Sequence, residues 1–184
     1  MKKIIIIVVV IIIIVGIYVV FTLKSGSELQ ETSPLDSVVL DEKSMIQDKF
    51  ELMDSDTMAR LKKETEAMKS EVMVKTESMP KSARLIAQAD FKPRIHSVKG
   101  RVLLIENEQE KILRFEDFET DNGPNLHIYL STSLGDEDFI DLGKIRATKG
   151  NVNYTVDASV DTTKYNKVLV WCVPFGVIFS YAEL

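Results

Sequence analysis

The sequence predicts an all-β antiparallel sandwich or barrel-like domain at the C-terminal end, preceded by a helical stalk and one N-terminal transmembrane helix. Three observations predict it. Beyond Phe91 the chain breaks into short apolar runs separated by Gly, Asn, Asp and Pro, the texture of an all-β domain. From Leu35 to Met79 there is neither glycine nor proline, and charges alternate with Met, Leu, Ile and Ala as in a long helix. Ile4–Leu23 carries no charge over 20 residues, enough for a helix to span about 30 Å of hydrocarbon. The chain therefore divides into an anchor (1–24), a linker with stalk (25–88) and a β-domain (89–184).

Lys2 and Lys3 precede the apolar run, while Glu28, Glu31 and Asp36 follow it. The positive-inside rule then sets the N-terminus in the cytoplasm and the rest on the extracytoplasmic side of the cell membrane, with the lipid bilayer as the partner of Ile4–Leu23. The run exceeds the about 7–15 residues of a signal-peptide core, which favours an uncleaved anchor. Lys24 to Pro34 has linker composition.

In the stalk, Ile46, Phe50 and Met53, then Met58, Leu61, Thr65, Met68 and Val72, follow three-and-four spacing and form one narrow apolar seam, suited to weak self-association. Met53-Asp54-Ser55-Asp56 can interrupt the helix, with Asp54 or Ser55 as a new N-cap. Six methionines crowd this segment. Thioethers are soft Cu(I) ligands, yet methionine in such a seam is ordinarily filler.

Strands are expected near 101–105, 111–115, 126–131, 139–142, 152–156, 168–173 and 177–182. The run Val168–Val173 is apolar throughout, as befits a central strand covered on both faces, and it holds the one cysteine and the one tryptophan. Asn122-Gly123-Pro124-Asn125 reads as a turn.

These blocks in order, Ile112–Phe118, Asn122–Ser131, Asp141–Lys144, Gly150–Tyr154 and Tyr165 with Val168–Leu184, resemble the DM-thirteen domain, also called the electron-transfer DM domain, over residues 89–184. Phe91, His96 and Gly100 resemble that family's opening pattern. Ala89 stands where a glycine is common, and Asn125 and His127 replace the family's Asp and Tyr. The resemblance implies an exported or membrane-attached protein, in some cases beside haem-binding modules, so an envelope redox or haem protein is the partner it suggests. It also implies a redox role for the cysteine, here Cys172, with Trp171 as its neighbour.

The residues themselves leave two readings of Cys172. Alternation puts Val168, Val170 and Cys172 on one face and Leu169, Trp171 and Val173 on the other, so the thiol keeps apolar company, which raises its pKa and lowers its reactivity. Its place just before Pro174-Phe175-Gly176 puts it near the sandwich rim, which keeps an accessible redox thiol open as the second reading, behind the core one. His96 and His127 are the two histidines and the candidate metal ligands, without a ligand spacing. Asp136-Glu137-Asp138 lacks the EF-hand pattern. Asn153-Tyr154-Thr155 is a glycosylation sequon.

One cysteine excludes an internal disulfide, a CxxC pair and a cysteine-based zinc site. With a net charge of −5 and no basic segment, nucleic-acid binding is not expected. No nucleotide, metalloprotease or serine-hydrolase motif occurs and no cofactor is required by the sequence. Two functions follow: a membrane-anchored redox or electron-transfer accessory using Cys172, or a surface interaction module in which Cys172 is core.

Overall fold

The structure, a computed structural model, describes residues 45–107 and 110–184, which fall within one compact unit, Leu40–Leu184. The Ile4–Leu23 run lies outside the described residues. No helix among the described residues is long and apolar enough to cross a membrane.

Two five-stranded sheets form a sandwich. In chain order the strands are β1 (Ile46–Gln47), β2 (Val74–Thr76), β3 (Arg84–Asp90), β4 (Lys92–Pro93), β5 (Val98–Glu106), β6 (Lys111–Thr120), β7 (Leu126–Ser131), β8 (Leu134–Gly135), β9 (Phe139–Lys144), β10 (Lys149–Val156), β11 (Lys167–Cys172) and β12 (Val177–Glu183). One sheet runs β2-β10-β6-β5-β3 and the other β4-β12-β11-β7-β9; β1 and β8 make a separate pair. All pairings within the two sheets are antiparallel except β2 with β10, and β1 with β8 is also parallel. All seven expected strands are present, as β5, β6, β7, β9, β10, β11 and β12, most of them longer than the apolar runs because polar residues continue the ladders.

The core lies between the sheets. Val102, Leu104, Leu113, Phe115, Ile128, Leu130, Val152, Tyr154, Val168, Val170 and Cys172 point inward from alternate positions, as period-two geometry requires. Phe91, Phe115 and Phe118 interlock with ring centroids 4.9–5.0 Å apart.

The expected continuous stalk is not what residues 45–79 form. They contain one 14-residue helix, α1 (Ser55–Met68), and otherwise wrap the sandwich. The interruption at Met53–Asp56 is real: Asp54 caps α1, its Oδ1 accepting the Thr57 N–H at 2.7 Å, and this bond holds the carboxyl below its usual range. Leu61 and Thr65 of the apolar seam are buried, so the seam faces this chain's own core. Tertiary pairing overrides helix propensity on both sides of α1. Ile46 aligns with Leu134, and Val74–Thr76 lies parallel along Lys149–Asn151. Gly150 permits that second pairing, because at φ +122° a Cβ there would meet the Lys75 carbonyl.

The strap before α1 is held firmly. Asp48 is 1% exposed and Arg94 10%, and Asp48 Oδ1 takes both Arg94 Nη2 at 3.4 Å and the Phe50 N–H at 3.1 Å. Asp48 Oδ2 accepts the Ile178 N–H at 3.1 Å, and the Lys49 N–H donates to the Gly176 carbonyl. Ile46 thereby packs on Tyr129, Leu134, Leu169, Trp171, Ile178 and Tyr181, an apolar cluster on the outer face of the second sheet. β3 pairs with β5 from Arg84 onward, so the sandwich takes in residues N-terminal to 89.

Candidate functional site

Cys172 ends β11 with Leu126 and Val177 as its neighbours in register. It faces the core, is 0% exposed, and its Sγ–H donates to the Pro124 carbonyl at 3.3 Å. Pro124 lies in the expected Asn122–Asn125 turn, which Gly123 lets sink onto the Phe179 ring: a Cβ there would stand 2.6 Å from two ring carbons. On the other side the Gly176 N–H returns to the Cys172 carbonyl at 2.9 Å, closing the β11–β12 turn. Helix α1 lies over this end, with Arg60 above the Phe175 ring at 5.4 Å and Leu61 in the same core cluster as the thiol. Burial pushes the Cys172 thiol from its ordinary 9.0 up to about 12; the Phe175 N–H opposes the shift and the Glu64 carboxylate adds to it. Such a sulfur is neutral at physiological pH and screened from solvent. It can pack and donate a weak hydrogen bond, and it cannot act as a nucleophile in this arrangement.

Trp171 points the opposite way, into the outer cluster, stacked on Tyr129 at 5.7 Å, while Tyr129 stacks on Phe139 at 4.1 Å. Trp171 and Cys172 are thus sequence neighbours on opposite faces of one strand.

The two histidines do not converge. His96 lies in the segment between β4 and β5, its ring 4.0 Å from that of Phe179 and its Nδ1 3.3 Å from Asp121 Oδ2. Burial lowers its pKa, against the opposing pull of Asp121. His127 sits opposite Trp171 in register, with Nδ1 2.8 Å from Asp141 Oδ2. Each ring has one carboxylate partner, and among the described residues no group of three or more His, Cys, Asp or Glu side chains is arranged to hold a metal. Asp138, from the acidic loop, is taken up by Lys164 Nζ at 2.9 Å and the Tyr165 hydroxyl at 2.7 Å.

A cleft of about 320 Å³ opens between the chain after α1 and the ends of β5 and β6, lined in part by Lys69, Lys99, Glu119, Asp121 and Lys149. Three of its charges pair with one another, Glu119 with Lys99 at 3.6 Å and with Lys149 at 3.5 Å, while Lys69 and Asp121 pair with Glu66 and His96 outside the lining.

The sequon asparagine is engaged on all sides. Asn153 Nδ2, the atom that would carry a glycan, donates to the Ser78 carbonyl at 3.1 Å, and Oδ1 accepts from Arg114 Nη1 at 3.0 Å. Arg114 is itself buried on the outer face of the first sheet, and its Nε donates to Glu116 at 2.9 Å. Sequence reasoning missed Arg114, Asp48 and Arg94. An arginine inside the apolar run Ile112–Phe115 was the signal that a buried charge pair had to exist there.

Residues 90–184 match the electron transfer DM13 family. The chain belongs to that family. Among curated proteins and among solved structures, none matches the chain. The DM13 match covers β4 to β12 and begins at the last residue of β3, so β1, α1 and β2 lie outside it and close over it. Residues beyond the DM13 match therefore add to the packing at both faces of β11, Leu61 of α1 in the core cluster that holds Cys172 and Ile46 of β1 on the Trp171 cluster.

Proposed function

We propose that this chain is a single-pass, membrane-anchored protein whose DM13 domain stands on the extracytoplasmic side and serves an electron-transfer partner as a non-enzymatic docking module. The family supports the electron-transfer setting. The uncharged run Ile4–Leu23 behind Lys2 and Lys3 supports the anchor and its orientation. One observation favours docking over thiol chemistry: Cys172 has no exposure and its thiol is pushed up to about 12. The test is incubation of the full chain in detergent or vesicles with oxidised glutathione. The docking reading expects no mixed disulfide on Cys172 in the folded protein. Rapid formation of one would replace it with a thiol-exchange mechanism.

A second reading has its own support. The cover over the thiol includes α1, which buries only Leu61 and Thr65 and leaves Thr65 Oγ1 without a hydrogen-bond partner among the described residues. A cover held this lightly can open, and Cys172 would then be a redox thiol exposed on demand. A mixed disulfide that forms slowly, at a rate set by opening of α1, is the signature of that reading.

A further inference from the structure

Apart from Met1, every methionine of the chain lies between residues 45 and 79, and residues 80–184 contain none. The wrap places these thioethers at the surface. Met45, Met73 and Met79 are 43%, 36% and 45% exposed, while Met53, Met58 and Met68 are half-buried beneath or beside α1. Met53 packs against the main core, and Met68 and Met73 line one shallow cleft with Leu126 and Ile145. The sulfur of Cys172 and the indole of Trp171, the other readily oxidised groups of the domain, are 0% and 2% exposed under the same wrap.

We propose that the wrap is an oxidant-reactive methionine cover: Met45, Met73 and Met79 take oxygen from peroxide-class oxidants before Cys172 or Trp171 does, and oxidation of Met53 and Met68 then loosens the wrap over the thiol. In each event the thioether sulfur attacks one peroxide oxygen and the O–O bond breaks. The sulfur gains one oxygen and loses two electrons to the peroxide, whose other oxygen leaves as water. Sulfoxidation turns a flexible apolar side chain into a polar one. At Met73 or Met79 that change faces water and costs little. At Met53, packed against the main core, and at Met68, beside Leu126 and Ile145, it places a polar oxygen against apolar side chains. The extracytoplasmic reading supplies only the source of oxidant; the order of oxidation is a property of the folded chain.

The experiment treats the full chain with hydrogen peroxide in steps, locates each added oxygen by peptide mass spectrometry, and measures Cys172 alkylation at each step. Sulfoxide on Met45, Met73 and Met79 should come first with the alkylation rate unchanged. Oxygen on Met53 and Met68 should then raise that rate by about tenfold or more, as expected when a local cover opens. Methionine sulfoxide reductase with dithiothreitol should restore the slow rate. Met53→Leu combined with Met68→Leu, which keeps apolar volume, should hold the rate low at the same peroxide dose. Oxygen appearing on Cys172 or Trp171 before the wrap methionines would overturn the proposal. So would full sulfoxidation of Met53 and Met68 that leaves Cys172 as slow to alkylate as before.

Discussion

The Asp48 carboxylate, outside the DM13 match, is buried against the Arg94 guanidinium, inside it, with Nη2 to Oδ1 at 3.4 Å. Asp48 also satisfies the Ile178 N–H, so one side chain joins the strap to β12 and to the segment after β4. Asp48→Ala leaves Arg94 buried with Glu51, at 3.2 Å, as its one charged partner among the described residues, and should destabilise the protein by about 3 kcal/mol in urea unfolding followed by Trp171 fluorescence.

The wrap should be required for the domain to fold. A fragment starting at residue 90 loses the whole of β3 but its last residue, the β2 edge and the cover over the Trp171 cluster, and should show no cooperative denaturant transition. A fragment starting at Met45 should unfold in a single cooperative step.

Cys172→Ser should cost about 1–3 kcal/mol, since a more polar group then occupies an apolar site with the Pro124 carbonyl as its one acceptor. Equilibrium unfolding of the full chain measures it. A loss of that size with an unchanged fold identifies a packing residue.

Alkaline pH should destabilise the domain. The folded state holds the Cys172 thiol and the Tyr154 phenol at about 12, above their ordinary 9.0 and 10.0, chiefly through burial in both cases. Each group keeps its proton longer in the folded state than in the unfolded state. Stability is therefore intact below pH 9 and falls as pH rises toward 12, by up to about 1.4 kcal/mol per pH unit for each group titrating. A urea midpoint that stays flat from pH 8 to pH 11 would contradict this.

Asn153 should remain unglycosylated once folded. Expression in a glycosylating secretory host should yield no glycan mass at Asn153. Asn153→Ala should instead lower stability by about 1–2 kcal/mol, because Arg114 loses an acceptor in a buried position.

Much of the sandwich was legible because its strands are long apolar runs with period-two faces, and the opposite orientations of Trp171 and Cys172 follow from that alternation alone. The wrap was not legible. β1 and β2 are two and three residues long, too short to carry a period, and they pair in parallel with strands about 75–90 positions away. The stretch that looked like one helix ends at Met68 without glycine or proline, so no local signal marks its stop. The Asp54 cap was readable because capping is local. The His127–Asp141 contact was not, because it exists only through the β7–β9 register.

The central claim is that the wrapped domain seals Cys172 in its core. Its most direct test is the alkylation rate of Cys172 in the native full chain from pH 7 to pH 10, set against the same chain unfolded in guanidinium. The account predicts labelling that is slow throughout in the native protein and immediate on unfolding. Rapid native labelling, titrating at or below the ordinary 9.0 of a thiol, would contradict it and make Cys172 an exposed redox centre.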